Sequence, residues 1–269
     1  MKTFMKWAGN KSSIVDLIQP HLLGKNLIEP FAGSCAVSLN TSFDRYVCND
    51  INADLIHMYA MIQKDASNFI TLAKEYFNNG NIQERFYELR ELYNNSTDKD
   101  VRACLFLYLN RHCFNGLCRY NKSGKFNVPF GKYSSPYFPE KEINEFAQYT
   151  SNFIFTNESF QESFKRANSD SVIYCDPPYL PLTDTADFSK YAVDDFTVDH
   201  HKELSTLARQ TADTLGCTVI ISNHDTDEIR AFYKDADKIE SFLVKRTISS
   251  NTAERKKAPE LLAIYKGVK

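Results

Sequence analysis

A short polar run, Asp176-Pro177-Pro178-Tyr179, follows directly on the apolar run Ser171-Val172-Ile173-Tyr174-Cys175. The two prolines have no amide donor, so this backbone offers carbonyl oxygens as acceptors beside the Asp176 carboxylate. Such acceptors suit a substrate that carries an –NH2 group, and the Tyr179 ring offers a flat face for stacking. Open α/β sheets hold their sites at the carboxyl ends of strands, which favours a catalytic role over a simple Asp-Pro turn.

A second candidate site is the turn Phe31-Ala32-Gly33-Ser34, which follows the apolar segment 26–29 and Pro30. It is similar to a dinucleotide-binding loop from which most glycines are missing. Because a pyrophosphate needs close backbone approach and several glycines, a ligand without phosphates is favoured, and S-adenosylmethionine is one such ligand. The alternative is an ordinary strand-to-helix turn.

Asp50 lies 17 residues after Gly33, at the end of a predicted second strand. An acid in this position can accept both ribose hydroxyls of an adenosine cofactor. The alternative is a helix cap, but Asn52 is already a suitable cap for the helix that follows.

The N-terminal run Lys6-Trp7-Ala8-Gly9-Asn10-Lys11 precedes the first predicted helix. A tryptophan so near a chain end is unusual unless its ring packs against another group, and the sequence leaves two possibilities open for Trp7. It either contacts a ligand or covers the hydrophobic core.

The charge distribution indicates a nucleic-acid partner even though the formal net charge is only −2. Residues 101–139 contain no Asp or Glu, although a quarter of the chain is charged. They contain six basic residues, Arg102, Arg111, Arg119, Lys122, Lys125 and Lys132, and interspersed aromatic residues that include Phe114, Tyr120, Phe126, Phe130, Tyr133 and Tyr137. We expect this stretch to neutralise DNA phosphates. A solvated basic face without a partner is the alternative.

Other function classes have little support in the sequence. The seven cysteines form no Cys-x-x-Cys pair, so we expect buried, reduced thiols and no metal site. No apolar run is long enough for a membrane span, and the N-terminus lacks the apolar stretch of a signal peptide. These features predict a cytoplasmic protein.

The elements that position these residues alternate between strand and helix, which predicts an α/β fold with a parallel sheet. The predicted strands cover residues 26–29, 45–49, 152–156, 171–175, 217–222, 239–244 and 261–265, the last two as an antiparallel pair. The predicted helices cover residues 12–21, the start of a helix at 36–40, a helix capped by Asn52, 66–112 with a break at 94–98, and 198–215. Residues 115–139, rich in Gly and Pro, predict a loop or β-hairpin. We therefore predict a catalytic domain, 1–60 and 150–269, interrupted by a mostly helical target-recognition insertion, 61–149.

Several runs together resemble the Dam family of DNA adenine-N6 methyltransferases, and the resemblance covers nearly the whole chain. The order of motifs, with the cofactor loop before the target region and the target region before the Asp-Pro-Pro-Tyr run, is similar to the alpha group of these enzymes. The runs are Lys6–Lys11, Glu29–Gly33, Leu107–Arg111, Asn115–Asn121, Phe126–Gly131, Asp176–Tyr179 and Ile221–Asp225.

The resemblance implies a Rossmann-like, S-adenosylmethionine-dependent methyltransferase with a seven-stranded sheet, acting on the adenine of duplex GATC. It implies catalysis by Asp176, Pro177, Pro178 and Tyr179. The cofactor contacts that it implies are Trp7, Ala8, Gly9, Lys11, Pro30, Phe31, Ala32, Gly33, Asp50 and Asp176. The implied DNA contacts are Lys6 at the first target base, Leu117, Arg119 and Tyr133 at later bases, Phe114 and Asn115 as a wedge, and also Asn121 and Lys132.

Two positions depart from the family pattern. The family commonly has a second glycine where this chain has Asn10, and Tyr where it has Phe114. An apolar ring can still unstack bases, so the wedge function is expected to persist.

The implied reaction needs no metal and no covalent intermediate. The target amine lies inside a stacked duplex, so the adenine must leave the helix before it reacts. Two alternatives are a glutamine-N5 protein methyltransferase, whose related turn usually begins with Asn, and a catalytically silent DNA-binding regulator. We expect a monomer in solution with double-stranded DNA as its partner.

Overall fold

A computed structural model describes residues 1–180, 196–245 and 257–267, which contain a seven-stranded sheet and eight α-helices. The strands are β1 Asn26–Glu29, β2 Arg45–Asn49, β3 Phe153–Thr156, β4 Ser171–Cys175, β5 Thr218–His224, β6 Lys238–Lys245 and β7 Lys257–Lys266. The helices are α1 Val15–Ile18, α2 Ala53–Phe77, α3 Gln83–Asn95, α4 Lys99–His112, α5 Glu140–Tyr149, α6 Phe160–Phe164, α7 Val198–Leu215 and α8 Asp227–Phe232.

The strand order is β3-β2-β1-β4-β5-β7-β6. The first five strands in this order are parallel, and β7 lies antiparallel between β5 and β6. The order reverses between β1 and β4, and the carboxyl edge at such a switch point is where open α/β sheets bind ligands. The sheet confirms the methyltransferase-like architecture that the resemblance implies.

Both faces of the sheet are buried, because successive residues of a strand point to opposite sides. Leu27 and Val172 belong to one hydrophobic cluster, whereas their neighbours Ile28 and Ile173 belong to the other. This explains why the central strands are continuous apolar runs rather than alternating ones.

Strands β1, β2 and β4 and helix α7 have the predicted bounds, and the late antiparallel pair is confirmed. Two predicted helices are wrong. Residues 12–21 form only α1 between two short 3₁₀ turns, the second of which contains Pro20, a residue without an amide donor. Residues 36–40 contain only a 3₁₀ turn, because the Ser38 amide donates to the Glu29 carboxylate instead of continuing a helix.

Residues 66–112 are less continuous than predicted. Besides the break after Asn95, a second break separates α2 from α3, where Asn79 adopts a left-handed φ of 54°. Helices α5, α6 and α8 were not predicted; α6 and α8 have only five and six residues, and helices this short leave weak periodic signals.

Helices α2 to α5 all lie between β2 and β3 in the chain. Helix α2 passes residue 60 and becomes non-helical only at Asp65. The α4–α5 loop, residues 113–139, has two isolated antiparallel bridges, Cys113 with Phe130 and Tyr120 with Phe126. The division into a catalytic domain and a target-recognition insertion stays a prediction.

All seven cysteines are buried, as expected, and none is in a disulfide. Among the described residues, no cluster of three or more His, Cys, Asp or Glu side chains could hold a metal ion. No described helix is long and apolar enough to cross a membrane.

Candidate active site

Asp176 follows β4 at the switch point, and both of its carboxylate oxygens are engaged. The Ser222 hydroxyl, on neighbouring β5, donates to Oδ1 at 2.9 Å and itself accepts from Tyr174 at 3.0 Å. The Lys11 ammonium lies 2.7 Å from Oδ2. The sequence alone assigns no role to Ser222, although it is the last residue of the predicted strand 217–222; in the structure it lies within β5.

Lys11 brings the N-terminal segment over this edge of the sheet. Its side chain is only 8% exposed, and Nζ also donates to the Gly9 carbonyl at 2.8 Å. The same ammonium lies 5.0 Å from the centre of the Tyr179 ring. Lys11 was expected among the cofactor contacts, and the structure shows it in an ion pair with Asp176.

Tyr179 is half-buried, with its ring held in a fixed orientation. The ring packs edge-to-face on His224 at 4.4 Å between centroids, and its hydroxyl donates to Glu260 at 3.3 Å. Burial, helped by the Asp176 charge, raises the pKa of Tyr179 well above its ordinary value. The phenol therefore stays neutral at physiological pH.

The turn after β1 is fixed through its backbone. The Asn49 side chain, at the end of β2, donates to the Pro30 carbonyl at 3.0 Å, and the Asn49 carbonyl accepts from the Ala32 amide at 2.7 Å. Gly33 has a left-handed φ of 47°, and a Cβ there would lie 2.5 Å from Trp7 Nε1. Only glycine fits beneath this indole.

Asp50 joins the same turn from the end of β2. Its Oδ2 accepts from the Gly33 amide at 2.9 Å and its Oδ1 from the Asn52 amide at 2.9 Å. Burial raises the pKa of Asp50, against the lowering effect of these two hydrogen bonds. The predicted cap is confirmed, because Asn52 Oδ1 accepts from the Leu55 amide at 3.0 Å.

This arrangement discriminates between cofactor classes. In a phosphate loop the Gly33 amide would face a phosphate, whereas here it donates to a carboxylate, which would repel one. Asp50 retains acceptor capacity for hydroxyl donors, since each carboxylate oxygen can accept more than one hydrogen bond. The residues therefore fit a nucleoside ligand without phosphates.

The other predicted cofactor residues surround this turn. Phe31 is half-buried and stacks on Phe160 at 5.6 Å, with Phe196 edge-on at 5.4 Å. Ala8 is half-buried and Gly9 is exposed in the N-terminal segment.

A buried side-chain amide connects the predicted DNA contact Lys6 to the start of the α4–α5 loop. Asn110, on α4, is 2% exposed, and its Oδ1 accepts from the Lys6 amide at 2.9 Å. Its Nδ2 donates to the carbonyls of Lys6 at 2.7 Å and Gly116 at 3.0 Å. The Lys6 ammonium then lies 3.8 Å from the centre of the Tyr133 ring. Asn110, to which the sequence alone assigns no role, fixes the N-terminal segment against the α4–α5 loop.

The predicted wedge stands at the start of the α4–α5 loop. Phe114 is 51% exposed, which is unusual for so large an apolar ring. Asn115 is exposed in the left-handed region, with φ 54°, and Leu117 is half-buried. These side chains are available to a partner at the surface.

Farther along the same loop, Arg119 is half-buried and its Nε donates to Asn127 Oδ1 at 2.8 Å. Asn121 Oδ1 accepts two backbone amides of its own turn, those of Ser123 and Lys125, each at 3.0 Å. The Asn121 side-chain oxygen therefore stabilises the turn at residues 121–125. Three lysines are exposed here, Lys122, Lys125 and Lys132.

Two of the six basic residues of the acid-free stretch already have hydrogen-bond partners within the protein. Arg102 forms a bidentate pair with Asp54, at 2.6 and 2.8 Å. Arg111 Nε donates to the Tyr137 carbonyl at 2.9 Å. Both guanidinium groups therefore stabilise contacts within the protein.

Glu29 is a buried acid of the Glu29–Gly33 run, and the sequence alone assigns it no role. Its carboxylate accepts from the Ser38 amide at 3.1 Å and from the Ser38 hydroxyl. Burial raises its pKa from 4.5 to about 7, and the nearby Asp176 charge adds to the shift. Glu29 is thus a buried acid close enough to Asp176 for their charges to interact.

Comparison with known proteins agrees with this geometry. A family model described as D12 class N6 adenine-specific DNA methyltransferase matches residues 7–250. The proteins named DNA adenine methylase from Vibrio cholerae serotype O1 and Serratia marcescens are 47% and 46% identical over 266 and 270 residues. Each match covers 98% of this chain, and 96% and 98% of the respective relative.

The protein of the same name from Escherichia coli is 46% identical over 267 residues, which is 98% of this chain and 95% of the relative. These matches confirm the resemblance and favour DNA adenine methylation over protein methylation. A methyltransferase requires a methyl donor, and this one acts on DNA. The chain belongs to the family of D12 class N6 adenine-specific DNA methyltransferases.

Proposed function

We propose that this enzyme transfers the methyl group of S-adenosylmethionine to the N6 amine of the adenine in duplex GATC, after that adenine leaves the helix. One observation carries the proposal. Asp176, at the end of β4, has a carboxylate held between Ser222 and Lys11, and it lies on the same sheet edge as the turn joined to Asp50. An amine acceptor and a nucleoside acceptor thus share one switch point.

The cofactor would lie against Asp50, the 30–33 turn, Phe31 and the N-terminal segment with Trp7, Ala8 and Gly9. When bound, S-adenosylmethionine supplies an electrophilic methyl group on a sulfonium. Asp50 supports this choice because its buried carboxylate suits ribose hydroxyls and disfavours phosphates.

On the substrate side, the adenine amine is a poor nucleophile because its lone pair is delocalised into the ring. The Asp176 carboxylate and the Pro177 carbonyl would accept its two N–H groups, with Pro178 keeping the turn rigid. These acceptors favour the positive charge that develops on nitrogen in the transition state. The Tyr179 ring, fixed by His224 and Glu260, would stack on the extruded base.

Target reading would fall to the N-terminal segment and the α4–α5 loop. Lys6 would contact the first base, and Leu117, Arg119 and Tyr133 the later ones. Phe114 and Asn115 would enter the duplex as a wedge, which their exposure supports. The exposed side chains of Asn121 and of the three loop lysines would contact the backbone.

The test is tritiated methyl transfer to unmethylated plasmid DNA, with bulk protein as the competing acceptor. The plasmid is then digested by nucleases that differ only in their sensitivity to GATC adenine methylation. We expect label in DNA alone and protection at GATC alone. Label without GATC protection would refute the target, and label in protein would refute the substrate. We also propose a cytoplasmic monomer, which sedimentation of the purified protein and cell fractionation would test.

A further inference from the structure

Tyr120 stands between Arg119 and Asn121 in the α4–α5 loop, yet its side chain is turned inward. It is 8% exposed, and its hydroxyl lies 2.9 Å from the Tyr93 hydroxyl on α3. The same hydroxyl accepts from Asn52 Nδ2 at 3.3 Å. This bond, together with a longer contact of the same Asn52 Nδ2 to Cys118 Sγ at 3.6 Å, attaches the predicted base-reading segment to the turn that follows β2.

Asn52 is the other end of this attachment. Its backbone amide donates to Asp50 Oδ1 at 2.9 Å, and Asp50 Oδ2 accepts from Gly33 at 2.9 Å. Hydrogen bonds thus connect four residues one after another, in the order Gly33, Asp50, Asn52 and Tyr120. Asn52 and Tyr120 are both buried, so water does not readily replace a broken bond between them.

The Tyr120 ring is held independently of its hydroxyl. It packs edge-on against Phe126, with centroids 5.9 Å apart and planes at 87°. Tyr93 also donates to Asp54 at 2.5 Å, so it keeps a partner if the Tyr120 hydroxyl is removed. The bond between Asn52 and Tyr120 can therefore be tested by a substitution that leaves the surrounding packing in place.

We propose that Asn52 and Tyr120 are positioning residues that couple cofactor binding to target reading, an inference that rests on the proposed function. A ribose held by Asp50 would order the 50–52 turn, and through Tyr120 that turn would order the base-reading segment. Conversely, a duplex that orders the base-reading segment would also order the turn at residues 50–52. Two ligands that share one ordering cost bind cooperatively, and the effect is reciprocal.

The experiment measures the affinity for S-adenosylhomocysteine, which does not react, with and without a short duplex containing one GATC site. The ratio of the two dissociation constants is the coupling factor. We expect about fivefold or more in the unaltered enzyme. In Tyr120→Phe we expect the factor to approach one, while the affinity for cofactor alone changes less than about twofold, since one remote hydrogen bond is lost.

Matched variants separate coupling from general loss of stability. Asn52→Ser keeps a helix cap but removes the amide donor, so it should lower the factor as Tyr120→Phe does, and the double variant should lower it no further. Tyr108→Phe removes another buried hydroxyl, which donates to the Gly80 carbonyl at 2.6 Å, and should leave the factor unchanged. If Tyr120→Phe does not fold, Asn52→Ser tests the same bond.

Three results would overturn the inference. They are a factor of one in the unaltered enzyme, an unchanged factor in Tyr120→Phe or Asn52→Ser, and an equal loss in Tyr108→Phe. Failure of the proposed function is a separate result, because an enzyme that methylates GATC without coupling refutes only the inference. An enzyme that leaves GATC unmethylated refutes the function on which the inference rests.

Discussion

Replacing Asp176 with alanine removes both acceptors that the structure holds at the end of β4. Oδ1 loses its contact with Ser222 at 2.9 Å, and Oδ2 loses its contact with Lys11 at 2.7 Å. Loss of one charged contact that strengthens in the transition state costs about 3–4 kcal/mol, or several hundredfold in rate. We expect methyl transfer to fall by at least this factor, while DNA binding largely persists.

The same substitution has a second effect, on stability. The Lys11 side chain is 8% exposed, so removing the Asp176 carboxylate leaves a nearly buried ammonium that still donates to the Gly9 carbonyl. Breaking a fully buried ion pair costs about 3–5 kcal/mol. The cost here should be smaller, because the Asp176 side chain is 20% exposed and water can enter.

Asp176→Asn and the double variant Asp176→Ala/Lys11→Met separate these two effects. The asparagine keeps the shape and one oxygen for Ser222, whereas the double variant removes the unpaired cation. Single-turnover transfer of a tritiated methyl group measures the chemistry, anisotropy of a labelled duplex measures DNA binding, and thermal unfolding measures stability. A folded Asp176→Ala enzyme whose single-turnover rate is within about tenfold of the original, a change of only about 1.4 kcal/mol, would refute the acceptor role.

Three further predictions concern other parts of the site. Asp50→Ala should raise the S-adenosylmethionine concentration for half-maximal rate with little change in DNA dependence, and unchanged cofactor affinity by calorimetry would contradict this. Arg119→Ala should lose about 1–3 kcal/mol of discrimination at one base pair of GATC, whereas Lys122→Ala should weaken binding to all sequences alike and reduce the slope of log affinity against log salt concentration by about one. Methylation rates on GATC and on all its single-base variants test both predictions. An equal loss of rate on every site in Arg119→Ala would make Arg119 a backbone contact. Because burial raises the pKa of Glu29 from 4.5 to about 7, the folded protein binds a proton that the unfolded chain releases, and this stabilisation is complete below pH 4.5 and lost as the pH rises through 7. The free energy of unfolding should therefore fall less over this range in Glu29→Gln, and equal slopes in denaturant titrations at several pH values would show that Glu29 does not titrate there.

The sequence by itself determined the features that depend on neighbouring residues. The apolar runs of β1, β2 and β4 specify buried parallel strands, and helix α7 is bounded by the Thr197 cap and by Gly216, which has a left-handed φ of 68°. The family runs also identified the reaction, because their residue types and order are specific over the whole chain. Charge composition was less informative, since one of the basic residues that it counted, Arg102, pairs with Asp54.

The tertiary structure alone decided which distant side chains meet. Lys11 pairs with Asp176, Ser222 reaches the same carboxylate from β5, and Asn110 holds Lys6 from 104 positions away. Periodicity and turn propensity act over a few residues, whereas these contacts depend on strand order and on how α4 packs beside the N-terminal segment. A local sequence pattern can therefore identify Asp176 as the acid of the site, but not the partners that position it and neutralise its charge. Those partners depend on the path of the chain, because a buried charged group is stable only where the fold brings a counter-charge or a hydrogen-bond donor to it.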